Sequence, residues 1–277
     1  MGVKILTDST CDLPKDLARE LGITIVPLRV LFGEESFLDG EEITSEEFFT
    51  KMAQAEKLPT TAQVNPSQFI EEFTKMIDQG DEVIGIFIAA ALSGTYNSSL
   101  IARDTIGRGK IELIDSHTAS FGLGLLVIEA ARMAQKGKSF EEIAARLETA
   151  RDKVNFYAIL DTLENLVKGG RLTATMAANL LGVKPIVSVA DSTVSMVGKA
   201  RGQKKAFAWV IEDLKNKGID LEGRTVALAH GVNKESLMDF QEVLFKEYKI
   251  GEVIIFELGA VIGTHLGAGC VGLGVIM

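Results

Sequence analysis

The chain reads as an α/β protein of two α/β domains, the first with a largely parallel sheet and helices on both faces, the second with a mixed sheet. Three observations predict this. Short Ile/Val-rich runs alternate with helical patterns from the first residues onward. The runs are continuously apolar, as strands covered on both faces are, where a half-exposed sheet would alternate. A hairpin signal appears in the second half only, and it adds an antiparallel pair to that half's sheet.

The elements follow in order. Residues 3–6, 23–32, 83–89 and 111–114 are brief, β-branched and bounded by turn residues, so they are expected as buried strands. Between them, 15–21, 45–54, 67–79 and 94–106 carry apolar residues at three-and-four spacing, the pattern of helices covering a sheet. Two helical segments, 122–135 and 139–151, precede a new strand at 156–160. A hairpin is expected over 185–198, turning at Asp191-Ser192, then helix 203–216, strand 225–229, helix 234–246, strand 253–258 and a last strand at 271–276. The division falls near residue 155, giving domains 1–155 and 156–277.

Composition removes several function classes. The 277 residues carry 29 Lys and Arg against 38 Asp and Glu, a net charge of −9, so no basic stripe is offered to a phosphate backbone and no nucleic-acid partner is expected. Cys11 and Cys270 form neither a disulfide framework nor a zinc motif. The N-terminus lacks signal-peptide character and the longest apolar run, 83–92, is too short to span a bilayer, which implies a cytoplasmic protein. Gly267, Gly269 and Gly272 match a dinucleotide-loop pattern without room for the helix it needs. Gly137-Lys138-Ser139 ends like a phosphate loop, but Arg132 stands where the first glycine is required, and the nucleophile-elbow motif is missing. Neither a metal nor a cofactor is expected.

The remaining candidates are polar residues at strand ends, where open α/β sheets bind ligands. Asp8 follows the first strand and is placed to hold neighbouring loops by accepting backbone hydrogen bonds, while Asp12 is expected to start the helix that Pro14 opens. In 58–66, Asn65-Pro66 explains a helix start but leaves Thr60 and Thr61 with hydroxyls free to donate. Ser93, before Gly94 and Thr95, reads as an N-cap, and the same geometry would offer free N–H groups to a carboxylate. His117 and His230 read as structural or solvated. His265 lies in the Gly-rich stretch 263–269, expected as a loop, where its ring can donate to an anion. Gly169 ends a short helix, and Arg171 just beyond it presents a fixed fork of donors.

Together these motifs resemble the DegV family over essentially the whole chain: Thr7-Asp8-Ser9-Thr10-Cys11-Asp12-Leu13-Pro14, Thr61-Ala62-Gln63, Leu92-Ser93-Gly94-Thr95-Tyr96, Leu163-Glu164-Asn165-Leu166 with Gly169-Gly170-Arg171, and Ile262-Gly263-Thr264-His265. The resemblance implies two α/β domains with a long-chain fatty acid bound between them, and a carrier that presents the acyl carboxylate to a separate ATP-dependent fatty-acid kinase for phospholipid synthesis. It implies no catalysis by the chain itself. Thr61, Ser93 and His265 would bind the carboxylate, with Ala62, Gly94, Arg171 and Asp8 in support. Ala62 departs from the family's serine after that threonine, Val64-Asn65 from Pro-Ser, Ala90-Ala91 from a serine pair and Ala268 from a proline; the first and third remove hydroxyls near the head-group site.

A lipid ligand is physically consistent: roughly fourteen buried methylenes at about 0.8 kcal/mol each give about 11 kcal/mol before association costs. A helix N-terminus adds only about 0.3–1 kcal/mol at the head, or about 2 when partly buried. The tail would therefore supply affinity and the polar residues orientation. Two alternatives stand beside the carrier: a serine esterase or acyltransferase using Ser93 with His265 as base and Asp8 or Asp115 as orienting acid, and a binding protein for another small carboxylate or phosphorylated ligand. Lys199, Arg201, Lys204 and Lys205 read as a solvated helix start that allows at most transient membrane contact.

Overall fold

The computed structural model describes residues 2–177, 182–190 and 192–277. The chain begins β1 (Val3–Asp8), α1 (Lys15–Glu20), β2 (Thr24–Val26), β3 (Arg29–Phe32), β4 (Glu35–Leu38), α2 (Ser45–Gln54) and β5 (Thr60–Ala62). It continues α3 (Pro66–Asp78), β6 (Glu82–Phe87), α4 (Thr95–Ile106), β7 (Ile111–Asp115), α5 (Ser120–Gln135) and α6 (Phe140–Ala150). The rest runs β8 (Val154–Ile159), α7 (Glu164–Lys168), β9 (Lys184–Ala190), β10 (Thr193–Ala200), α8 (Gln203–Asn216), β11 (Thr225–His230), α9 (Lys234–Glu247), β12 (Glu252–Glu257), α10 (Ala260–Leu266) and β13 (Val271–Ile276).

The described residues form three sheets. The first, ordered β2-β1-β6-β7, is parallel at every pairing. The second, ordered β10-β9-β8-β13-β11-β12, is mixed: β11 and β12 are parallel and the other pairings antiparallel. A small antiparallel sheet, β4-β3-β5, stands apart from both.

The layers follow from which faces are apolar. α5 packs on β1 and β6 of the first sheet and on β8, β11 and β13 of the second. Its sequence is apolar nearly all round, as a helix between two sheets must be, and its residues from Ser120 to Ile128 are buried. α3 covers the outer face of the first sheet through Phe69, Phe73 and Met76, and α4 adds Ala102. α8 and α9 cover the outer face of the second through stacked Phe207 and Phe240. β13 shows how sequence meets both layers. Val271, Leu273 and Val275 face the outer helices, while Gly272 and Gly274 face the Phe121 ring, which leaves no room for a Cβ at either position.

Several expectations need correction. The run 23–32 is two strands in different sheets, because Pro27 cannot donate to a ladder and the chain turns there. The second half's hairpin forms as expected, as β9–β10, with a bulge between Met196 and Gly198; Asp191 of its turn lies outside the described residues, and Ser192 has φ 60°. Residues 60–62, expected as loop, form β5 beside β3. The stretch 263–269, also expected as loop, lies partly in α10. Asp12 does not start α1. It follows a 3-10 turn at Ser9–Cys11 with φ 50°, and its carboxylate is used elsewhere.

Candidate ligand-binding site

A cavity of about 160 Å³ opens where the C-terminal ends of the parallel strands meet the inner face of the mixed sheet. The space is far larger than a lone ion needs. Its walls are aliphatic for the most part: Leu28, Ile88, Leu92 and Val261 on one side, Phe156, Val187, Val189 and Val194 of β8–β10 on the other. Phe156 is held flat by Phe121, with ring centroids 4.1 Å apart.

The polar lining gathers around one contact. β5 carries Thr61 and α10 carries His265, and their Oγ1 and Nε2 atoms lie 3.4 Å apart across 204 residues of sequence. Ser93 stands in the turn before α4. The N-cap of α4 is Gly94, so Ser93 is not the cap residue itself, but its Oγ accepts from the Thr95 N–H at 3.3 Å and lies 3.0 Å from Thr95 Oγ1. Thr95 Oγ1 also accepts from Val64 N, which ties the end of β5 to α4. Gln63 covers Gly94 and donates to Ser98 Oγ at 2.8 Å. Ala62 lines the cavity beside Thr61 with no polar side-chain atom to offer.

Arg171 spends its fork on the backbone. Nε and Nη2 both donate to Leu92 O, at 3.2 and 3.0 Å, and Nη1 donates to Gly169 O. It therefore clamps the Ser93 turn to the end of α7. Half burial lowers its pKa. His265 is held neutral: enclosure pushes its pKa down to about 4, helped by the nearby Arg171 charge. Its Nδ1 is buried without a partner among the described residues, pressed toward Gly169. With Nδ1 turned away toward Gly169, the ring meets the site through Nε2, the atom aimed at Thr61 and the cavity.

Asp8 lies behind this site and not in it. It is fully buried; Oδ1 accepts from Thr10 N and Oγ1, and Oδ2 from Ile88 N at 2.9 Å. Burial raises its pKa to about 6 against the lowering effect of those hydrogen bonds. The loop-holding role read from the sequence is the one its contacts describe. Asp115 accepts from Ala90 N and His117 N. Neither acid reaches His265, so the orienting carboxylate that a Ser93–His265 hydrolase needs is not assembled among the described residues. His117 pairs with Asp152, and buried His230 bonds Gly231 O.

Sequence reasoning missed Ser120 and Asp39. Ser120 is buried, has φ 53°, lines the cavity and donates to Asp12 Oδ2 at 2.5 Å. Asp39 accepts from Ser9 Oγ at 2.8 Å and from Ala260 N at 2.7 Å. Asp39 sits neither in a motif nor at a parallel-strand end and is brought in by the tertiary fold; Ser120 begins α5 just past the loop that leaves β7, where it reads as an ordinary helix start.

These features define a layered α/β protein with an apolar cavity between its parallel and mixed sheets and neutral donors gathered at one end. A family model described as "Uncharacterised protein, DegV family" matches residues 2–277. A DegV domain-containing protein of Caldanaerobacter subterraneus subsp. tengcongensis is 39% identical over 273 residues, 98% of this chain and 97% of its own. Among solved structures, a DegV family protein of Thermus thermophilus, described by its fatty-acid binding, superposes with a TM-score of 0.93 at 31% identity, covering all of both chains. A stearic-acid-binding protein of Eubacterium ventriosum superposes with a TM-score of 0.89 at 28% identity over 99% of this chain and 98% of its own. The chain belongs to the DegV family.

Proposed function

We propose that the protein binds a long-chain fatty acid between its two halves, 1–155 and 156–277, and presents the carboxylate to a separate ATP-dependent fatty-acid kinase for acyl-phosphate formation. The observation that carries the reading is the division of the cavity into an aliphatic body and a neutral polar end. Thr61, Ser93 and the Nε2–H of His265 donate to the carboxylate; Arg171 fixes the Ser93 turn, and Gly94 lets the Gln63 side chain lie close over the start of α4. A neutral His265 matters chemically. Hydrogen-bond donors hold the carboxylate without neutralising it, so it stays a nucleophile toward the terminal phosphate of ATP. Thr61 and Ser93 are half-buried and Gln63 is exposed, so the head lies near the surface where a second protein can reach it while the tail stays inside.

The related Thermus and Eubacterium proteins, described as fatty-acid binding, support the ligand class. The test is mass spectrometry of an organic extract of the purified protein, followed by kinase-coupled acyl-phosphate formation. A stoichiometric long-chain fatty acid, and turnover lost in Ser93→Ala, are expected. A bound ligand without an acyl chain, or an empty protein that ignores added palmitate, overturns the reading.

A further inference from the structure

α10 has no cap of its own. Its N-cap position is Gly259, which offers no side chain, yet the first N–H groups of any helix need acceptors. They find them on a distant part of the chain. Asp12 Oδ1 accepts from Gly259 N at 2.9 Å, and Asp39 Oδ1 accepts from Ala260 N at 2.7 Å, with Val261 N also on Asp39. Gly259 fits between the two carboxylates: a Cβ there would lie 2.9 Å from Asp39 Oδ1 and 3.0 Å from Asp12 Oδ1. Each acid is aimed from its other oxygen, Asp39 by Ser9 Oγ and Asp12 by Ser120 Oγ. Both acids are buried, at 7% exposure for Asp12 and 4% for Asp39, which fixes them as rigid acceptors.

The helix they hold is seven residues long and carries His265 in its last turn. At about 1.5 Å of rise per residue, Ala260 and His265 are about 7.5 Å apart along the axis, so displacement at the first turn is transmitted to the ring. The Thr61–His265 contact, at 3.4 Å, is near the limit of a hydrogen bond and has little tolerance for such a shift. We propose that Asp12 and Asp39 are positioning residues for the head-group site: they cap α10 from the opposite half of the molecule and so aim His265 at Thr61 and the ligand carboxylate. The effect on binding rests on the fatty-acid reading above; the aiming of the ring does not.

The experiment joins two readouts on Asp39→Ala. In ligand-free protein, ring ¹⁵N–¹H spectra report the tautomer and titration of His265 directly. Wild type should show a neutral Nε2–H ring, and Asp39→Ala should displace its resonances and return its titration toward that of a solvated histidine. Palmitate affinity should fall about tenfold, the worth of one hydrogen bond, and the loss should vanish when His265 is already alanine. Unmoved ring resonances in a folded Asp39→Ala overturn the proposal, as does an equal affinity loss in the His265→Ala background. If Asp39→Ala does not fold, Ser9→Ala keeps the carboxylate but removes the hydroxyl that aims it. Displaced His265 resonances there support the proposal, and unmoved ones overturn it. Displaced resonances in a protein whose wild type binds no palmitate would overturn the fatty-acid reading and leave the positioning role standing.

Discussion

Gly169→Ala adds one methyl group at a place where the backbone is indifferent and the side-chain space is not. Gly169 has φ −76°, open to any residue, so no conformational penalty enters. The new Cβ would press on His265 Nδ1, lie 2.6 Å from its Cε1 and 3.1 Å from Asn165 O. Carbon atoms prefer about 3.5–4.0 Å, so the ring must retreat by about 1 Å. Nδ1 faces Gly169 and Nε2 faces Thr61, so the push drives the ring out of its present 3.4 Å register with Thr61. Overpacking of this kind costs about 1–3 kcal/mol of stability. At about 2–4 °C per kcal/mol for a chain near this length, the melting temperature should fall by about 2–12 °C. Losing a donor to a charged ligand group costs about 1.5–3 kcal/mol more, so palmitate affinity should drop at least about tenfold. Displacement of a fluorescent fatty acid, run beside a thermal melt, separates the two effects. A Gly169→Ala protein that melts lower but binds palmitate like wild type would refute the assignment of His265 to the head-group site.

Other outcomes follow from the same geometry. Ser93→Ala should weaken palmitate binding by about 1.5–3 kcal/mol, one hydrogen bond to a charged group, with a melting temperature close to wild type, measured by titration calorimetry and scanning fluorimetry. Val194→Phe fills the cavity from the β10 side and should exclude palmitate while a short-chain acid still binds; equal loss of both would show that the tail does not run toward β9 and β10. His265 is lowered in the folded protein from 6.5 to about 4, so the unfolded chain binds the extra proton first. Its contribution to stability is complete above about pH 6.5 and is lost as pH falls toward 4. Urea titrations of wild type and His265→Gln should therefore converge in that window if the glutamine is the less stable, and parallel curves would contradict the burial of a neutral ring.

Sequence patterns carried the architecture wherever the signal is local. The buried strands of the parallel sheet are legible because they must be apolar on both faces, and the β9–β10 hairpin is legible because its turn interrupts two apolar runs. α10 was not. Its seven residues include Gly263, and such a short glycine-bearing segment has no propensity to be read; its caps come from residues about 220 and 247 positions away, so its helical state is a tertiary product. The same reason hid Asp39 and misassigned Asp12. Asp12 followed by Pro14 imitates a helix start, but the left-handed conformation at Asp12 turns the carboxylate away from α1 and toward Gly259. Thr61, Ser93 and His265 were legible singly as polar residues left unexplained by turn chemistry. Their convergence was not: the 3.4 Å contact between Thr61 and His265 depends on β5 joining β3 and on α10 being a helix at all.

The place of β13 decides the order in which the molecule can be completed. β13 is the last strand along the chain, yet it lies between β8 and β11 in the middle of the six-stranded sheet. Until residues 271–276 have been synthesised, β8 has only its β9 neighbour and β11 only β12. The parallel sheet has all its strands by residue 115 and can form early in translation, since domains emerge from the N-terminal side first. The wall of the cavity that Phe156 and the β9–β10 valines provide must wait. During that interval an aliphatic surface stands open beside a finished half, and an acyl chain that arrives has nothing to close over it. Ribosome-bound chains ending before β13 should therefore retain a folded first half, expose the greasy inner face and hold no ligand, and a short deletion at the C-terminal end should be more damaging than its length suggests.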